Sequence, residues 1–331
     1  MRDDRRDFFK KAAGAAATLA AGEAVRGATS TADAAVLGET RGFAAGRYGI
    51  ELEGAMAGFL QSTEGGDATA EVIEEKDSEA CATRKHLGNV KYEDIQISCG
   101  TGMSAAFYEW LQGVPTCEFA RKNGAIVAAD VNSKERARRT FTQAIITEFS
   151  MPALDAADKD TAYMNVTISP ESTQRQKGSG NPINPCGPVK TQKKWLASNF
   201  RLTIPGLDCS KVNKIEAFVF KQQVIPDQRG TVEVSNLVIT LPESSAQSFF
   251  DWHEDFVIKG NNGSESEKSG MLEYLTPNLG EALFTLNFQH LGIFKLVPEK
   301  VEAGNEQIKR VKAEIYCEEA TFQFGKSAAS C

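Results

Sequence analysis

Few residues in this chain stand in patterns that do chemistry. Gly100-Thr101-Gly102-Met103-Ser104 is glycine-rich and precedes a helical apolar pattern, the setting in which backbone N–H groups can cradle a phosphate. The Gly-Lys-Ser/Thr ending of such a loop is missing, so a tight turn into the helix is the expectation. Asp155, Asp158 and Asp160 offer the oxygen donors calcium takes, but their spacing is not that of an EF-hand and no Gly and Glu follow to complete one. A solvated loop is expected there. His86, His253 and His290 are scattered, and the cysteines at 81, 99, 117, 186, 209, 317 and 331 include no Cys-x-x-Cys pair, which leaves a structural zinc site without support. No Gly-x-Ser-x-Gly nucleophile motif occurs, and no acid pair stands out among the carboxylates. The residues therefore predict no catalytic group, no cofactor and no metal.

The 331 residues are enough for two ordinary cores, and no apolar run approaches the ~20 residues of a membrane-spanning helix. At the start, Arg5-Arg6-Asp7-Phe8-Phe9-Lys10 leads into an Ala-rich stretch that ends at Gly22. Paired Arg5 and Arg6 with Phe8 and Lys10 resemble a twin-arginine export signal, which implies a translocase as a transient partner and a periplasmic, extracellular or cell-surface destination. Residues 1–34 read as the signal peptide, with Ala32-Asp33-Ala34 as a cleavage site, and residues 35–45 as a flexible lead. Without residues 1–34, which hold six basic and five acidic residues, 31 basic residues face 39 acidic ones. An acidic chain is a poor match for nucleic acid, whose phosphates need clustered Lys and Arg. Lys190, Lys193 and Lys194 beside Trp195 are too few to change that, and read as solvated linker. Cysteines suit an exported chain, and with seven of them one must stay unpaired.

An internal repeat organises the rest. Residues 89–110 align without a gap on residues 231–252: Val90 falls on Val232, Ile97 on Ile239, Phe107 on Phe249, Tyr108 on Phe250 and Trp110 on Trp252. The match extends to an opening strand at 48–52 and 199–204, and to a closing strand at 164–168 and 311–315. The chain thus reads as one copy at 46–171, a Gly/Pro/Lys-rich linker at 172–196, a second copy at 197–324 and a tail at 325–331. Each copy shows alternating strands and one short helix, with Thr101 or Ser244 as its expected cap and an aromatic stripe packed on a sheet. Hairpin turns are expected at Asn123-Gly124 and Ser269-Gly270, and further strands around Phe141 and Phe288. Phe107, Trp110, Phe249, Trp252, Phe141 and Phe288 are the expected repeat core. The fold class is mainly β, a sandwich or barrel with one short helix per domain.

Lys91-Tyr92-Glu93-Asp94-Ile95, the helix with Trp110, Arg121-Lys122-Asn123-Gly124, Phe141-Thr142-Gln143-Ala144 and Met151-Pro152-Ala153-Leu154-Asp155-Ala156, in this order, resemble the tail tube proteins of contractile phages and related injection machines. The second copy keeps the skeleton through Phe249, Trp252, Gly270, Phe288 and Pro298. The resemblance implies the tail-tube fold, no catalytic residues, and self-association into rings whose sheets line a channel; family members carry one such domain, and the repeat makes this chain two in tandem. Three doubled chains would supply six domains and close a pseudo-sixfold ring or a tube-end adaptor, with other tube or baseplate-like proteins as further partners. A monomeric exported binding module that reuses the fold, and a phage-derived baseplate hub, are the alternatives. Loops that differ between copies, 74–88 against 226–229 and 113–121 against 257–267, are candidates for specialised contacts. Cys81 and Cys117 both lie in first-copy loops of this kind and are the candidate pair for an intra-copy bridge.

Overall fold

The computed structural model describes residues 46–76, 83–184, 195–223, 230–299 and 308–329. Strand β1 (Arg47–Leu52) alternates as expected of a half-buried strand and turns back into β2 (Ala55–Leu60). Glu53 and Gly54 both have positive φ, 49° and 83°, which gives the two-residue turn whose twist suits a hairpin. Then follow β3 (Ser62–Gly65), β4 (Ala68–Lys76), β5 (Thr83–Tyr92), β6 (Ile95–Cys99), α1 (Ala105–Gln112), β7 (Lys122–Ala129), β8 (Glu135–Met151), β9 (Leu154–Asp155), β10 (Met164–Ser169) and β11 (Ser172–Lys177). The later half holds β12 (Phe200–Thr203), β13 (Lys214–Ile215), β14 (Phe218–Gln223), β15 (Thr231–Val234), β16 (Leu237–Pro242), α2 (Gln247–His253), β17 (Lys268–Leu275), β18 (Ala282–Pro298) and β19 (Arg310–Phe324). The protein is mainly β, with a nearly closed, barrel-like sheet.

One large sheet has the path β2-β1-β7-β8-β10-β6-β3, a second runs β12-β17-β18-β19-β16-β13-β9, and β4 and β5 form a separate two-stranded ribbon. From β1 to β3 and from β12 to β13 the order of corresponding strands is the same. The irregularities coincide as well. β8 and β18 each have 17 residues, and the ninth of each, Gln143 and His290, has positive φ (47° and 54°). There the register slips against β7, between Lys122 and Gly124, and against β17, between Lys268 and Gly270. A second slip passes over the thirteenth residue of each strand, Thr147 against β10 and Phe294 against β19. Bulges bend and twist a strand. A strand bent in this way serves two sets of neighbours: the first part of β8 pairs with β7 and β11, the last part with β10 and β14.

The largest buried cluster takes residues from both halves. Tyr108 of α1 meets Phe284 and Phe324 of the later half at ring-centre distances of 5.4 and 5.1 Å, and its hydroxyl donates toward the carbonyl oxygens of Gly100 and Ala328. Trp195, fully buried, packs on Tyr274 and Phe284. Around Arg138 the polar groups are also tied in: its guanidinium donates to both oxygens of Glu51 and to those of Glu135, which in turn accepts from Ser179 Oγ. Burial alone would raise the Glu135 carboxyl, but the hydrogen bonds from Arg138 and Ser179 outweigh it and hold Glu135 below the usual range.

Several local expectations are corrected. Ser104, not Thr101, caps α1: its hydroxyl accepts from the Phe107 N–H at 3.3 Å. Ser244 lies inside a 3-10 turn (Glu243–Ser245), and α2 starts beyond it with no side-chain cap. Asn123-Gly124 and Ser269-Gly270 are not hairpin turns but open strands β7 and β17. Gly124 is required for close approach, because a Cβ there would strike the Glu51 carbonyl and stand 2.5 Å from Phe141 Cζ. The turn opens six residues after Gly124, where Asp130 Oδ1 accepts from the N–H groups of Asn132 and Lys134 and its other oxygen from Arg136 Nε. The segment read as linker opens with β11, paired to β8 from Ser172–Thr142 to Lys177–Ala137.

Candidate assembly surfaces

Where the two halves meet, backbone joins backbone. The end of β8, continued by β9, runs antiparallel to β13, continued by β14: Glu148 faces Lys221, Phe149 faces Phe220, Ser150 faces Val219, Met151 faces Phe218, Leu154 faces Ile215 and Asp155 faces Lys214. All six pairs share one register. Apolar side chains of this seam point into the core, where the Phe149 and Phe220 rings stack at 4.4 Å and 11°, with Phe218 and Phe322 edge-on against them. At its borders Lys214 Nζ stands 2.9 Å from Asp155 and Lys221 Nζ 3.9 Å from Glu148. The Lys214 hydrogen bond, then the Ala157 N–H, lowers the Asp155 carboxyl. These exposed pairs help fix register more than they stabilise.

The sheet beside the seam has one dry and one wet face. Ile95, Ile97 and Cys99 of β6 and Met164, Val166 and Ile168 of β10 are buried, whereas Gln96, Ser98, Asn165 and Thr167 point away from the core. With Glu148 and β3 they line a shallow polar concavity of about 330 Å³. In the later half the corresponding face is charged: Lys295 pairs with Glu314 at 2.7 Å and Lys312 with Glu216 at 2.5 Å. Such a face suits contact with water.

The residues singled out for chemistry stay apart. Phe107, Trp110, Phe141, Phe249, Trp252 and Phe288 are all buried, and the Trp110 indole N–H donates to the Ala120 carbonyl at 2.8 Å. Gly102 takes a φ of 91° in the turn before α1, and its N–H donates to the Ala328 carbonyl. Asp155 and Asp158 cap their own loop through the N–H groups of Ala157 and Asp160. Arg5, Arg6, Phe8 and Lys10 lie outside the described residues. So does Cys81; Cys117 is a half-buried free thiol, as is Cys209, while the free thiols of Cys99 and Cys317 are buried. Sequence reading missed one cluster: Glu267 accepts from the Tyr316 hydroxyl at 2.7 Å and contacts His290 Nδ1 at 2.8 Å, with Glu318 nearby. The Glu267 hydrogen bond raises the His290 pKa. These residues come from β18, β19 and the loop before β17, and only the fold brings them together.

Residues 44–174 match the family model described as T4-like virus tail tube protein gp19. That segment is tail-tube-like. Similar solved structures include the tube-terminating cap of the anti-feeding prophage, with 20% identity over 41% of this chain and 92% of that chain at a TM-score of 0.37. Another is the sheath–tube complex of an extracellular contractile injection system in its extended state, with 18% identity over 45% of this chain and 99% of that one at a TM-score of 0.37. A third is Hcp1 from Flavobacterium johnsoniae, with 16% identity over 40% and 96% at 0.27. No curated protein matches the sequence. Among the described residues no helix is long and apolar enough to cross a membrane.

Proposed function

We propose that this chain is a non-enzymatic structural subunit that carries the tail-tube-like domain twice, at residues 46–171 and 197–324, and assembles through its sheet edges into a ring, tube or tube-end adaptor. The seam between the halves is the observation that carries this reading. Strand pairing between the two halves supports joining through sheet edges, and the match over residues 44–174 supports a tube-like nature for the first half. Shared strand order and the coincident bulges of β8 and β18 support the duplication. Three chains then place six units around a ring, and the wet sheet faces line its channel. The Arg5-Arg6 pattern supports export by the twin-arginine route and a role outside the cytoplasm.

Light scattering on the purified mature chain tests the assembly. The expected mass is three chains, each of 35.9 kDa less whatever is removed from the N-terminus. A stable monomer at micromolar concentration would sink it in favour of a binding module.

A further inference from the structure

The seam inside the chain leaves two matching surfaces unused, one at each end. β3 pairs β6 through Ser62–Ser98 and Thr63–Ile97, as β13 pairs β16 through Lys214–Thr240 and Ile215–Ile239. β4 pairs β5 through Ala68–Tyr92 and Thr69–Lys91, as β14 pairs β15 through Phe220–Val234 and Lys221–Glu233. Both comparisons set Lys214–Lys221 over residues 62–69. In the same way the end of β8 corresponds to the end of β18, since Val166 faces Phe149 where Ala313 faces Leu296. The end of β8 is paired on both edges, by β10 and β14. For residues 295–298 of β18, the described strands include a partner on one edge only, β19.

Exposure points to the same two surfaces. Among the described residues β4 and β5 pair only with each other, and a two-stranded ribbon alone is marginal in water. Cross-strand partners share a face, so Ala70 with Val90 and Val72 with Leu87 form an apolar face on this ribbon. Yet Val72 is 54% exposed, Val90 59% and Leu87 70%. At the other end, Tyr108 is sealed under Phe284 and Phe324, whereas Phe250, which aligns with it on α2, is only half-buried. Phe294 of β18 is also exposed.

We infer that residues 67–69 of one chain add antiparallel to residues 295–297 of a second copy of this chain, in the register of the internal seam. This places Asp67 against Val297, Ala68 against Leu296 and Thr69 against Lys295, with the β4–β5 ribbon lying over the neighbour's later half. The occupant is another copy because each end of the chain presents what the other lacks, and the internal seam shows that these two edge types pair. The inference rests on the assembly reading above and gives its interface.

Paired cysteines test the register. Thr69 and Lys295 correspond to the internal Lys221 and Glu148, which face each other at the border of the sheet, and neither lies in the core. Directly opposed Cβ atoms stand close enough for a disulfide after small adjustment, diagonal ones do not. A Thr69→Cys/Lys295→Cys chain, mildly oxidised, is expected to give covalent dimers and trimers on a non-reducing gel that either single variant lacks. The diagonal control, Thr69→Cys/Val297→Cys, is expected to cross-link at least about tenfold less. An oligomer of three chains in which the opposed pair fails to cross-link, or links no better than the control, overturns this interface and leaves the assembly standing. A monomer by light scattering removes both.

Discussion

Replacing Phe220 by alanine asks whether the two halves stand or fall together. Phe220 lies on β14 in the later half, yet its ring stacks on Phe149 of β8 in the earlier half, and both side chains have no exposed surface. A fully buried Phe→Ala change costs about 3–5 kcal/mol, the upper end applying where neighbours cannot collapse into the space. Here Phe149, Phe218 and Phe322 are fixed on strands, so little collapse is expected. With a urea slope of about 3 kcal/mol/M, the midpoint falls by about 1–1.7 M. In a double-mutant cycle with Phe149→Ala, the stacked pair should show a coupling of about 0.5–1.5 kcal/mol. Intrinsic fluorescence and circular dichroism during urea unfolding supply the assay, with the expectation of one coincident transition that shifts as a whole. Two separate transitions, only one of them moved by Phe220→Ala, would refute the reasoning, because the seam would then not couple the halves.

Arg138→Ala leaves the Glu51 and Glu135 carboxylates without their shared partner. With the guanidinium partly open to solvent, destabilisation of about 1–3 kcal/mol is expected by urea titration. Since Glu135 is held below the usual carboxylate range, its contribution is present above the unfolded value near 4.5 and is lost as pH falls through the lower folded value; acid titration of wild type against Arg138→Ala should show the difference narrowing only there. His290 has the opposite sign. Its raised folded pKa makes the Glu267 contact stabilising below about 6.5 and lost as pH rises through the folded value, so NMR should place its midpoint above 6.5, and Glu267→Gln should lower it. Gly124→Val drives a side chain into the Glu51 carbonyl and Phe141 and should cost more than about 2 kcal/mol. In native protein, Cys99 and Cys317, whose thiols burial pushes up to about 12, should resist alkylation at pH 8 while Cys117 reacts, as read by peptide mass spectrometry.

What the sequence made legible was periodic or repeated. Alternation over Arg310–Ile315 marks a strand, and Phe107 aligned with Phe249 marks two helix faces that both prove buried. Cap and turn positions were misplaced because they depend on close approaches no linear pattern records. Asn123-Gly124 has the composition of a turn, but its glycine answers to Phe141 across the strand. Similarly, β11 lies in a polar Ser/Thr/Gln/Arg run, where pairing to β8 rather than apolar alternation decides the conformation. The seam itself was hidden for another reason. Neither Phe149 nor Phe220 signals a partner some seventy residues away, and only the register between β8 and β14 reveals it.

Electron microscopy of the purified mature chain bears most directly on the central claim that each chain contributes two tube-like units to a closed assembly. Class averages should show rings of six lobes around a central opening, built from three chains. Isolated two-lobed particles at every concentration examined would contradict it.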